Sequence, residues 1–300
     1  MEFDVFKDDI CELVSKQMGP DYDVSTRNVT KNNGVILTGI MAKKQGSNIF
    51  PTLYINNMYS DDLSKEDMHR IALKISDNLI NASVPPTDML DELFEYERIR
   101  EKIAFKLINT RRNAELLKVV PHRDFLNLSV VYYIDLEDAK NSAGCRATLL
   151  IRDRFMEQWK ISEEALFDQA LSNMKDHSPD KIVTMKEILE ERFDHMMDID
   201  IGMYVLSNKN NMYGASTMLY GSGIKQLSKD LDRNLYILPS SVHELIILPQ
   251  DDNTNAEALL EIVSQINDSE VSDEEILADS VYLYDRDSDS VRVLLEKDEN

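Results

Sequence analysis

The longest apolar runs in this chain are strand-sized, as in Val130-Val131-Tyr132-Tyr133-Ile134. That is far short of the roughly 18 residues needed to cross a bilayer. A core must therefore be assembled from many short elements, and the spacing of apolar positions shows which kind. Phe3, Phe6, Ile10, Leu13, Val14 and Met18 recur at a helical period and stop at Gly19-Pro20. Alternating segments follow at 22–30 and 35–42 around Asn33-Gly34, a hairpin signal, and a further strand is expected at 52–56. Ser64 with Asp67 three residues on begins a helix to about Leu79. Pro85-Pro86 marks a connection, and a long charged helix is expected over 88–101, leading into 102–108.

The most apolar strand is read at 128–136, with a second at 145–151. Helices at 153–159 and from Ser162 to about Met174 come next; Ser162 is a good N-cap, with Glu163 and Glu164 placed to complement the helix dipole. Further on the pattern gives a helix at 184–195, strands at 203–207 and 212–215, and a helix at 223–231. Strands at 235–238 and 243–248, a helix at 255–266 and a hairpin of 281–284 with 291–295 complete it. Hairpin signals outnumber regular strand–helix–strand spacing, so the expected class is α+β, antiparallel sheets with helices packed on them.

At 300 residues, two domains are the prior, and the polar, proline-containing stretch Asp176-His177-Ser178-Pro179-Asp180 is the natural boundary. This divides the chain into an N-terminal α+β domain, 1–178, and a C-terminal α+β domain, 179–300, with an acidic segment. Residues 52–79 and 148–174 share a layout of strand, polar stretch and capped helix. Two related subdomains and the ordinary recurrence of such units both account for that echo.

The chain carries 55 acidic against 33 basic residues, a net charge of −22, and residues 251–300 hold 16 acidic and 3 basic ones. A surface of that sign repels phosphate backbones and anionic headgroups, which argues against nucleic-acid and membrane-surface partners. Arg111-Arg112 and Lys43-Lys44 are isolated basic pairs in a negative field. Two cysteines, Cys11 and Cys145, make no disulfide framework, and Cys145 reads as an inert thiol in an apolar strand. The N-terminus lacks a basic stretch followed by an apolar core, so a cytoplasmic location is expected.

Three segments form a distinctive set: Val120-Pro121-His122-Arg123-Asp124-Phe125-Leu126-Asn127-Leu128, Asn211-Met212-Tyr213-Gly214-Ala215-Ser216 and Leu238-Pro239-Ser240-Ser241-Val242-His243-Glu244. Together they resemble an uncharacterised domain-of-unknown-function family of gut Firmicutes (Clostridia), over most of the chain. Trp159-Lys160-Ile161-Ser162-Glu163-Glu164 through Asn173 also resembles a second uncharacterised Firmicute family common in bacilli. The resemblance implies a bacterial, cytoplasmic protein and brings no activity with it.

The sharpest chemical cluster is Ser240, Ser241, His243 and Glu244: hydroxyl, imidazole and carboxylate are the ingredients of acyl transfer. Sequence neighbours rarely converge, however. On a strand Ser241 and His243 share one face and Glu244 the other, and no Gly-x-Ser-x-Gly elbow is present. The favoured account is a Pro-Ser-Ser turn whose hydroxyls bond nearby backbone amides. His122 is the imidazole that could join from elsewhere.

For a metal, Asp194, His195, Asp198 and Asp200 form one acidic cluster, better read as a solvated helix end. Asp285, Asp287 and Asp289 with Glu296 fall at positions 1, 3, 5 and 12 of a calcium-loop spacing. Position 6 is Ser290 rather than glycine and the flanks read as strands, so a solvated hairpin is the better account. Gly221-Ser222-Gly223 could receive an anion at a helix N-terminus, yet no Walker A or Gly-x-Gly-x-x-Gly occurs and no cofactor is expected. Fourteen methionines, including Met196-Met197, read as core gap-fillers.

The leading expectation is a non-catalytic cytoplasmic interaction or regulatory protein whose acidic segment engages a basic protein partner. The alternative is a hydrolase or transferase using Ser240 or Ser241 with His243.

Overall fold

The computed structural model describes residues 1–46, 51–82, 92–140, 146–193, 202–251 and 254–297. Pro85-Pro86, Cys145, the Asp194–Asp200 acidic cluster and Met196-Met197 lie outside the described residues. The chain groups into two compact units, 1–93 with 135–148 and 94–134 with 149–300.

In the first unit α1 (Phe3–Met18) ends at Gly19, whose φ of 76° only glycine adopts readily. Strands β1 (Tyr22–Thr30), β2 (Ile36–Lys44) and β3 (Thr52–Tyr54) form an antiparallel sheet, with Tyr22 opposite Lys44 and Thr30 opposite Ile36. Asn33 and Gly34, both at positive φ, turn the chain between β1 and β2. Helix α2 (Lys65–Ile80) starts at the expected capping box: Ser64 Oγ accepts the Asp67 N–H, and the Asp67 carboxylate accepts the Ser64 N–H. Phe6, Ile10 and Val14 of α1, Met68, Ala72, Ile75 and Leu79 of α2, and Ile40 and Ala42 of β2 make the core. Each large side chain buried there contributes roughly 1.5–3 kcal/mol.

The second unit holds β4 (Ile103–Asn109) and β5 (His122–Phe125), which flank the 128–134 part of β6 (Leu128–Lys140); the remainder of β6 belongs to the first unit, and β7 (Arg146–Leu150), divided at residue 148, also pairs with β6. A six-stranded antiparallel sheet takes β8 (Asp180–Thr184), β9 (Tyr204–Asn208), β10 (Leu235–Leu238), β11 (Leu245–Pro249), β12 (Ser280–Asp285) and β13 (Ser290–Glu296), in the order β13-β12-β10-β11-β9-β8. The helices are α3 (Tyr96–Ile99), α4 (Ala114–Leu117), α5 (Asp153–Trp159), α6 (Glu163–His177), α7 (Met185–Phe193), α8 (Thr217–Tyr220), α9 (Gly223–Leu231) and α10 (Ala256–Glu270). Sheets and helices together make the class α+β.

Four local expectations change. The long charged helix ending at Glu101 is interrupted by a turn at 93–94, after which the chain makes one turn at α3 and a 3₁₀ turn at Arg100–Lys102. Asn173 of α6 takes the carbonyls of Arg100 and Ile103 at 2.7 and 2.8 Å, so the chain leaves helical geometry there. Between the Asp176–Asp180 stretch and the helix expected from 184 the chain forms a strand not expected from the sequence, β8, which pairs with β9 from Asp180 to Thr184. The segment around Met212 is a turn rather than a strand. The Asn208 side chain ties it down, accepting from the amides of Asn210 and Met212 and donating to the Met212 carbonyl. Finally, the strand expected from His243 begins at Leu245. The later arm of the 52–79/148–174 echo carries two helices, broken at Lys160, which sits at φ 56°.

Candidate functional site

Alternation along β6 sends Tyr132 and Tyr133 to opposite faces of its sheet, and each face gathers one cluster. The β4–β6 register puts Lys106 opposite Val131, on the side of Tyr133, and Phe105 opposite Tyr132.

On the Tyr133 side, the turn after β9 delivers Tyr213 at φ 54°. Its ring meets Tyr133 edge-on at 5.1 Å and lies parallel to the His243 ring at 5.4 Å, and Lys106 Nζ stands 4.4 Å from its centre. The backbone N–H of Tyr213 donates to His243 Nδ1 at 3.1 Å. Nδ1 is therefore unprotonated and the neutral ring carries its proton on Nε2, which faces Glu275 Oε1 at 3.5 Å. Gly214 makes this approach feasible: an added Cβ would lie 2.1 Å from Ser207 Oγ and 2.5 Å from the His243 carbonyl. Ser207 Oγ itself donates to that carbonyl at 2.8 Å.

Of the candidate serines, Ser241 is engaged elsewhere. Ser241 Oγ accepts the backbone N–H groups of His243 (3.0 Å) and Glu244 (3.3 Å), which is the turn geometry expected from the Pro-Ser-Ser stretch. Ser240 is buried and Glu244 exposed. His122 is exposed, with Nδ1 3.0 Å from the Val120 carbonyl. Lys106, Tyr133, Tyr213 and Glu275, which complete the His243 environment, were not legible as partners, since four separate segments supply them.

On the opposite face Arg123 of β5 grips Glu163 with two N–H donors, at 3.2 and 3.0 Å, and its guanidinium lies 4.0 Å from the centre of the Phe167 ring. The Glu163 carboxylate raises the Arg123 pKa. The Tyr132 hydroxyl also donates to Glu163; burial, reinforced by that carboxylate, pushes the phenol far above its ordinary range. Fork-shaped pairing of this kind holds a planar geometry that lysine cannot copy.

The calcium-spaced residues point to separate partners. Asp285 accepts from the Ser288 amide and hydroxyl, and Asp289 from Lys225 and the Tyr284 hydroxyl. Asp287 lies 3.7 Å from Arg286, and Glu296 3.9 Å from Arg111. Among the described residues no group of three or more His, Cys, Asp or Glu side chains is arranged to hold a metal ion. The anion position at the start of α9 is taken by the protein itself: the Gly223 N–H donates to Asp180 Oδ2 at 2.6 Å. No helix among the described residues is long and apolar enough to cross a membrane. Cys11 is half-buried, and burial raises its thiol pKa.

The model of one family, described as a family of unknown function (DUF5688), matches residues 3–286. The chain belongs to the DUF5688 family. No curated protein and no solved structure matches it. In this DUF5688 protein the segments that carried the resemblance meet in pairs. Asn211–Ser216 meets Leu238–Glu244 through Tyr213 and His243, and Val120–Leu128 meets the Trp159–Asn173 stretch through Arg123 and Glu163.

Proposed function

We propose that this DUF5688 protein is a non-catalytic interaction or regulatory protein of the cytoplasm, working by contact with a protein partner. The observation that carries the reading is the use made of its most reactive-looking groups. The His243 lone pair holds the Tyr213 amide and the Ser241 hydroxyl caps the following turn, so both serve the backbone. The negative charge of the chain supports a basic partner and argues against nucleic acid or an anionic membrane.

A hydrolase or transferase using Ser240 or Ser241 with His243 is the second reading. The His243–Glu275 pair favours it, because a carboxylate beside Nε2 is the orienting half of a proton relay, in which Nδ1 would have to release the Tyr213 amide to accept the serine proton. The test is turnover of ester, amide and phosphoester chromogens by purified protein. The proposal expects none above the blank. Turnover lost in His243→Asn, a variant that keeps an acceptor for the Tyr213 amide and is shown to remain folded by circular dichroism, would establish the enzyme instead.

A further inference from the structure

Helix α10 differs in charge from every other described helix of nine residues or more. Its sequence, Ala-Glu-Ala-Leu-Leu-Glu-Ile-Val-Ser-Gln-Ile-Asn-Asp-Ser-Glu, holds no lysine or arginine, whereas α1, α2, α6, α7 and α9 each hold at least one. Carboxylates on other helices pair within a turn, as Glu12 does with Lys16 and Glu190 with Lys186. No such ion pair engages Glu257, Glu261, Asp268 or Glu270 among the described residues. Positions 257, 261, 264, 265 and 268 fall on one face of the helix.

A groove of about 290 Å³ runs along that face, lined by Leu260, Glu261, Ser264, Gln265, Asp268 and Lys297. Ser264 is only 7% exposed, yet its Oγ has no hydrogen-bond partner. Buried hydroxyls are almost always paired, and this one belongs to a residue of the groove lining, so that a rotation about the Ser264 side-chain bond would present it to an incoming donor. Leu260 offers an apolar wall for the alkyl stem of a long side chain. Glu261, Asp268 and Lys297 leave the lining net negative. Seven helical residues separate the two carboxylates by about 10 Å along the axis, too far to share one metal ion. Two basic side chains at the same spacing match them. Ile262, 48% exposed, stands about 100° round the same helix from Glu261, an apolar group at the margin of that face.

Resting on the interaction reading above, we propose that this groove docks a basic segment of a partner protein. Two lysine or arginine side chains about 10 Å apart pair with Glu261 and Asp268, and one of them donates to Ser264 Oγ. The probe is a fluorescein-labelled, alanine-rich helical peptide with arginines seven positions apart and a leucine between them, titrated at low salt by anisotropy. Wild-type protein binds it, Glu261→Gln with Asp268→Asn weakens binding about tenfold, and Ser264→Ala about threefold. Asp8→Asn with Asp9→Asn, an equal charge change on α1, leaves it unaltered. Absence of binding, or equal weakening by the α1 variant, overturns the proposal; the second result would mean attraction to net charge alone. Affinity capture from the native cell separates the two levels. A partner held equally by wild-type and by the Glu261/Asp268 variant removes the groove and leaves the interaction reading standing.

Discussion

His243 Nδ1 accepts the backbone N–H of Tyr213 at 3.1 Å, across a separation of 30 residues. A side-chain lone pair thus replaces the strand partner that the Tyr213 amide lacks in its turn. His243→Ala leaves that amide unpaired and is expected to lower stability by about 1–3 kcal/mol in urea unfolding. His243→Asn, which offers an oxygen near the same place, should recover most of the loss. Equal loss in both variants would mean that ring stacking, not the hydrogen bond, holds the turn.

Gly214 has Ser207 Oγ, the His243 carbonyl and the Asn208 amide around the place of a Cβ. Gly214→Ala should cost about 1–3 kcal/mol or more through overpacking. Adding Ser207→Ala relieves only the contact at 2.1 Å; the carbonyl at 2.5 Å and the amide nitrogen at 2.7 Å belong to the backbone. The double variant should therefore recover only part of the stability, as read by thermal melting.

Asp279 is 7% exposed as a side chain, with its carboxylate held by Arg112 Nη2 and Asn267 Nδ2, each at 2.8 Å. Arg112→Ala removes the counter-charge and should destabilise by about 3 kcal/mol, the lower end for a broken buried pair because Arg112 itself is a quarter exposed. Adding Asp279→Asn should return part of that loss. A double variant as unstable as the single one would show that shape, rather than charge, is at stake.

Alkali should expose the buried phenols. Burial pushes Tyr220 up to about 12 from its ordinary 10.0, and its hydroxyl donates to the Ser178 carbonyl at 2.7 Å. A raised folded pKa stabilises fully below the unfolded value and loses that contribution as pH climbs from 10 toward 12. Stability should accordingly fall across that window, and Tyr220→Phe should flatten the fall. Absorbance titration of tyrosinate checks it: the Tyr220 share of the signal should appear near pH 12, and its appearance near 10 would contradict the burial.

Much of the fold was legible from local pattern. The bounds of α1, β1, α5, α9 and β10 follow from apolar period, breakers and caps that act within a few residues. Pro-Ser-Ser was readable as a turn for the same reason, because Ser241 bonds amides two and three positions on. The elements that read wrongly were set from a distance. Asn173 ends the helical stretch at Arg100 from 73 residues away. The turn around Met212 follows from Asn208, whose side chain competes for backbone groups that a strand would need.

By itself, then, the order of residues determined the α+β class, most of the helices and hairpins, the family and the strongly negative surface. Its periodicities and caps are near-neighbour effects, complete before any two distant segments touch. Tertiary structure alone decided that Tyr213 finds His243, that Arg123 finds Glu163 on the other face of the same sheet, and that Ser264 is left buried without a partner. Those outcomes depend on which faces the sheets bring together, and a hydrogen bond reaching only about 3 Å leaves no trace in the spacing of residues along the chain.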